Sequence, residues 1–101
     1  MIVYICSPYS GDTKTNTEKA KDYCRFVVEN GNVPIAPHLL FPQFIDEESE
    51  RELALQMDLL LLERCDEIWV FGDELSSGMK AEIAYAKNKE INARYFKKEG
   101  R

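Results

Sequence analysis

The chain has 101 residues, 45% of them apolar and 31% charged, the mix of one small globular domain covering 1–101. A net charge of −5 argues against a nucleic-acid polymer as partner, because phosphate backbones need clustered Lys and Arg; a single nucleotide stays open. The longest apolar run, Leu59–Leu62, is far too short for a bilayer, and Met1–Tyr4 carries no signal-peptide pattern, so a cytoplasmic protein without a membrane partner is expected.

In chain order, Ile2–Cys6 is a β-rich run that ends in the turn cluster Ser7–Asp12. Thr15-Asn16-Thr17-Glu18 fits a capping box, and Ala20, Tyr23, Cys24, Val27 and Val28 recur at helical spacing up to the stop at Asn30-Gly31. Val33–Ala36 reads as a second strand, placed at a sheet edge by Pro34. Pro37–Ser49 reads as a loop with much apolar content, the kind that forms lids or binding loops. Glu50–Arg64 is a helix, Glu67–Phe71 a strand, Gly78–Glu90 a helix and Ala93–Phe96 a last strand before the charged tail Lys97–Arg101. Cys6, Cys24 and Cys65 form no CxxC pair and His38 is the one histidine, so neither a disulfide nor a metal nor another cofactor is expected.

Strands alternating with helices imply a flavodoxin- or Rossmann-like three-layer α/β/α sandwich. Its four parallel strands are expected in the order 2-1-3-4. Ligands of such sheets bind beyond the carboxyl ends of the strands, here Ser7–Asp12, Pro37–Phe44 and Gly72–Ser77.

Two acids sit oddly. Asp58 has Leu55, Ala54, Leu61 and Leu62 at its i±3 and i±4 positions. Glu82 has Met79, Gly78, Tyr85 and Ala86, and lies too far into its helix to close a capping box with Ser76 or Ser77. Neither has a basic residue one turn away. Buried together, their pKa values would move apart into acid and base roles. A solvated edge for Glu82 and a loop cap for Asp58 are equally compatible with the pattern. Asp66 is expected to shape the turn before Glu67–Phe71, and Asp73 stands among polar loop residues at that strand's far end. Tyr4, inside a strand, needs a partner for its phenol, and Glu82 would suit; simple core packing is the other option. His38 is either an exposed loop residue or a substrate contact. Backbone N–H groups at Ser7–Gly11 or Ser77–Met79 could hold an anion, although no Walker lysine accompanies them. The leucines of Glu50–Arg64 surround most of that helix, more than one sheet face buries, so a homo-oligomer is expected.

Tyr4 in Ile2-Val3-Tyr4-Ile5-Cys6-Ser7-Pro8, Asp58 eight residues before Asp66, and Gly78-Met79-Lys80-Ala81-Glu82-Ile83-Ala84-Tyr85-Ala86 together resemble the nucleoside 2-deoxyribosyltransferase-like superfamily. Pro34–Gln43 and Cys65–Gly72 look like a small bacterial and phage branch of it, a domain of unknown function. The resemblance implies Glu82 as nucleophile at the anomeric carbon, Tyr4 as its orienting group, and Asp58 as assistant to sugar or base. It implies Ser7 and Ser77 as substrate-binding, and a nucleoside or nucleoside 5′-monophosphate as the small-molecule partner; Pro8, His38, Gly78 and Met79, at the same strand and helix ends, are expected to bind it with them. Ser76 and Ala84 depart from the superfamily pattern, and the transferases' C-terminal extension is missing. Hydrolysis or plain nucleotide binding is therefore expected ahead of transfer.

Overall fold

A computed structural model describes residues 1–97, so most of the expected charged tail, Lys97–Arg101, lies outside the described residues. The strands are β1 (Ile2–Cys6), β2 (Val33–Ile35), β3 (Glu67–Phe71) and β4 (Asn92–Phe96). The helices are α1 (Thr13–Glu29), α2 (Pro37–Leu40), α3 (Arg51–Leu62) and α4 (Ser77–Asn88). All strand pairs are parallel, and the order is β2-β1-β3-β4 as expected, with Pro34 on an edge.

The central strands carry apolar residues on both faces because both faces are covered. Val3, Ile5, Trp69 and Phe71 point to the α1 side, where Tyr23, Val27 and Phe26 meet them. Tyr23 stacks on Phe71 at 4.3 Å between ring centroids, and Phe71 stacks in turn on Phe96 at 5.1 Å. Tyr4, Cys6, Ile68 and Val70 point the other way, onto Leu59 and Leu62 of α3 and Met79, Ile83 and Ala86 of α4. The chain steps from β1 to β2 on one side, then back across β1 to β3 on the other. This reversal puts α1 and the α3–α4 pair on opposite faces and opens a crevice at the carboxyl end of β1.

Several local expectations change. α1 opens two residues before Thr15: Asp12 is its cap, with Oδ1 accepting from the Thr15 N–H at 3.2 Å. An aspartate that reaches the orphan N–H groups first displaces the Thr15–Glu18 box. The expected loop from Pro37 is partly helical, α2 followed by a 3-10 turn at Phe41–Gln43. Pro37 at the first helical position supplies the preset φ and gives up no needed N–H. α3 and α4 are shorter than expected, and Glu90 leaves α4 in the left-handed region at φ 60°. Asp66 shapes its turn by accepting the Ile2 N–H at 2.7 Å, which ties the start of β1 to the start of β3. No helix among the described residues is long and apolar enough to cross a membrane.

Candidate active site

A cleft of about 830 Å³ opens at the carboxyl end of the sheet. Its walls are the loop after β1, the segment from α2 into α3, one face of α3 and the first turns of α4. Asp58 on α3 and Glu82 on α4 both line it, although they are only 5% and 3% exposed. The two helices pack side by side over β1 and β3, which brings the two acids together at the bottom of the cleft.

Tyr4 stands behind Glu82 rather than in the cleft wall. Its hydroxyl donates to Glu82 Oε2 at 2.8 Å. The phenol is fully buried, and burial, then the Glu82 charge, raises its pKa well above the ordinary tyrosine value, so it stays a donor. Cys6 lies on the same strand face, one alternation along. Its thiol reaches the Met79 carbonyl at 3.9 Å and is pushed up first by burial and next by the Glu82 charge, so it is an inert thiol. All three cysteines are free.

Burial lifts Glu82 to about 7, against the lowering effect first of the Tyr4 hydrogen bond and then of the neighbouring Cys6 and Asp58 side chains. Burial lifts Asp58 further, to about 8, helped by the charges of Glu82 and Glu47 and by its hydrogen bond to Glu82. That hydrogen bond stabilises the ionised form of Glu82 and the protonated form of Asp58, so Asp58 holds the proton near neutral pH. Beyond their contact with each other, Glu82 Oε1 and Asp58 Oδ1 are buried and have no hydrogen-bond partner among the described residues. Buried polar atoms are nearly always paired in native proteins, so two such atoms on one cleft mark where a ligand would bond.

Ser7, 2% exposed, presents another unpartnered atom, Oγ, and lines the same cleft. His38 sits half-buried on α2 with Nδ1 unpartnered, its ring stacked on Tyr9 at 5.1 Å. Burial lowers its pKa, opposed by the Ser7 backbone, which favours the neutral imidazole. Ser77 and Gly78 form the exposed rim where α4 opens. Met79 is buried, and its N–H is already taken by Ser76 Oγ at 3.2 Å, which leaves the Ser77 and Gly78 amides as donors for an anion. Pro8 does not line the cleft. It turns toward Gly72, where an added Cβ would stand 3.9 Å from Pro8 Cδ, and Gly72 itself sits at φ 112°, open only to glycine. Asp73 is also outside the cleft wall. Among the described residues no group of three or more His, Cys, Asp or Glu is arranged to hold a metal ion.

Sequence reasoning passed over Tyr9, Glu47 and Arg51, all of which line the cleft. The apolar content of Pro37–Ser49 drew attention to its leucines and phenylalanines. The usable signal was the acid run Asp46-Glu47-Glu48 in a segment leading away from a strand's carboxyl end.

The crevice, strand order and helix placement define the nucleoside 2-deoxyribosyltransferase-like fold. The 2-deoxyribosyltransferase of the psychrotolerant bacterium Bacillus psychrosaccharolyticus superposes with a TM-score of 0.68 at 18% identity, over 96% of this chain and 72% of that one. The 2-deoxyribosyltransferase of Leishmania mexicana gives 0.72 at 15% identity, over 95% of this chain and 63% of that one. The chain thus spans under two thirds of the Leishmania protein's length. No curated protein matches by sequence. Within that fold the chain belongs to the family described as "Domain of unknown function (DUF7768)", whose sequence model matches residues 1–96.

Proposed function

We propose that this chain, acting as a single domain of 101 residues, cleaves the N-glycosidic bond of a nucleoside or nucleoside 5′-monophosphate. The observation that carries this is the pairing of two buried carboxyls, Asp58 holding its proton more firmly than Glu82, each with an oxygen that no other residue bonds on one cleft. Glu82 Oε1 forms a bond to the anomeric carbon while Tyr4 holds Oε2. The C1′–N bond breaks, its electron pair goes to the base, and the base nitrogen takes the Asp58 proton. Water then attacks C1′, releases Glu82 and returns a proton to Asp58; a second base in place of water makes the reaction a transfer. Ser7, Ser77 and Gly78 hold the sugar or its 5′ substituent, and His38 contacts the base. The fold shared with the two 2-deoxyribosyltransferases supports this chemistry.

One observation favours a non-catalytic nucleotide-binding module instead. Glu82 is raised to about 7, so a large share of it is protonated, and not nucleophilic, at neutral pH. A panel of nucleosides and 5′-monophosphates, scored by chromatography for free base, separates the two. Base release that Glu82→Gln abolishes supports cleavage. Calorimetric binding without base release supports the module, and release undiminished in Glu82→Gln overturns the mechanism.

We also infer a cytoplasmic homo-oligomer. Leu60 is 61% exposed and Leu53 also stands out from α3, on the outer side of the helix that carries Asp58. Sedimentation as a monomer at micromolar concentration would remove that inference.

A further inference from the structure

Five acidic side chains line the cleft, Asp46, Glu47, Glu48, Asp58 and Glu82, beside one residue of fixed positive charge, Arg51. They are not equivalent. Asp46 is engaged locally, its Oδ1 accepting the Glu48 and Ser49 N–H groups at 3.0 and 3.3 Å. Glu48 is exposed to water. Glu47 is half-buried and, among the described residues, makes no hydrogen bond or salt bridge of its own. The Arg51 charge acts on it, and its own charge acts on both Asp58 and Glu82. A half-buried carboxylate beside two buried acids gains from a counter-charge, which among the described cleft residues comes from Arg51.

Two independent features point to what brings that counter-charge. The unpartnered oxygens of Glu82 and Asp58 lie on the same cleft as Glu47, so a ligand that reaches them shares the cleft with its carboxylate. The stacked rings of Tyr9 and His38 also line it and offer flat aromatic faces, which attract cations. His38 disfavours the imidazolium, so it does not oppose a cation there.

We propose that Glu47 makes the cleft selective for a nucleoside whose base carries a formal positive charge, such as a pyridinium or N-alkylated heterocycle, with the Tyr9–His38 stack as its second contact. The chemistry fits the glycosidic site on which this selectivity rests. When Glu82 bonds to C1′ and the C1′–N pair returns to the ring, a cationic base departs neutral, without a proton from Asp58. Hydrolysis of the glycosyl ester then consumes one water and releases one proton.

The test uses the full chain and a matched pair: nicotinamide riboside, a pyridinium, and benzamide riboside, its C-linked isostere of the same shape without the charge. Calorimetry is expected to show the pyridinium binding roughly tenfold tighter, the scale of one partly buried ion pair plus a cation–π contact. Glu47→Gln should bring the two within about twofold, with thermal stability retained. Raising salt on the unaltered protein should narrow the gap in the same direction. Equal binding of the pair, a preference that survives Glu47→Gln, or no binding of the pyridinium at millimolar concentration overturns the proposal. Base release is read separately. Charge-selective binding without release keeps the selectivity and removes the cleavage reaction; release from uncharged nucleosides with no charge preference does the reverse.

Discussion

Glu67 and Glu82 are the same residue type, both nearly buried, on opposite faces of one sheet. Glu67 accepts from Trp69 Nε1 at 2.9 Å and Asn92 Nδ2 at 3.2 Å, and pairs with Arg94 at 3.1 Å. Its pKa falls, mainly through the Trp69 hydrogen bond. Glu82 has one hydroxyl donor, an unpartnered oxygen and a second acid beside it, and its pKa rises. The difference lies in the neighbours. A carboxylate surrounded by donors is part of the fold; one left short of donors on a cleft holds unused bonding capacity for something that arrives later.

The largest effect expected from breaking this contrast is on turnover. Glu82→Gln should lower base release by about a thousandfold or more while the melting temperature holds, and Glu67→Gln should leave release nearly unchanged. Parallel rate and melting measurements on both variants decide it. Next comes pH. Folded Asp58 and Glu82 keep their protons above the ordinary carboxylate range of about 4, up to about 8 for Asp58. The folded state therefore binds more protons than the unfolded one across that window. Their contribution is complete below about pH 4 and is lost progressively as pH rises toward 8. Urea unfolding across that range should show the fall, and Asp58→Asn should flatten it. Third, Glu67→Ala leaves Trp69, Asn92 and Arg94 without their acceptor and should cost about 2 kcal/mol in the same assay, with base release retained. Smallest, Tyr4→Phe should cost about 1 kcal/mol and move the acid limb of the pH–rate profile upward, because Glu82 loses the donor that most favours its ionised form.

Sequence pattern placed the strands well because β1 and β3 are central and buried on both faces, so their apolar runs are uninterrupted. Asp58 and Glu82 stood out because each breaks an apolar helical stripe, a local property. The loop residues did not stand out. Glu47 looks like any polar loop residue until the chain from α2 into α3 folds back over the cleft, and Tyr9 acquires meaning only when His38 stacks on it. Helix ends were blurred for a related reason: Asp12 and Thr15 both suit a cap, and only the backbone geometry chooses between them. Pro8 shows the opposite case, where a conspicuous sequence position turns toward the β3 exit rather than the cleft.

Trp69, the one tryptophan of the chain, lies on the α1 face with its indole anchored to Glu67 and Arg94 placed over its ring at 5.8 Å. It is separated from the cleft by the thickness of the sheet. The protein therefore carries an optical probe that registers loss of the aromatic core and stays silent when the cleft fills. A ligand that changed Trp69 emission would reveal movement carried through β3 itself, whereas an unchanged spectrum beside a positive binding isotherm would describe a rigid sheet with its chemistry confined to one side.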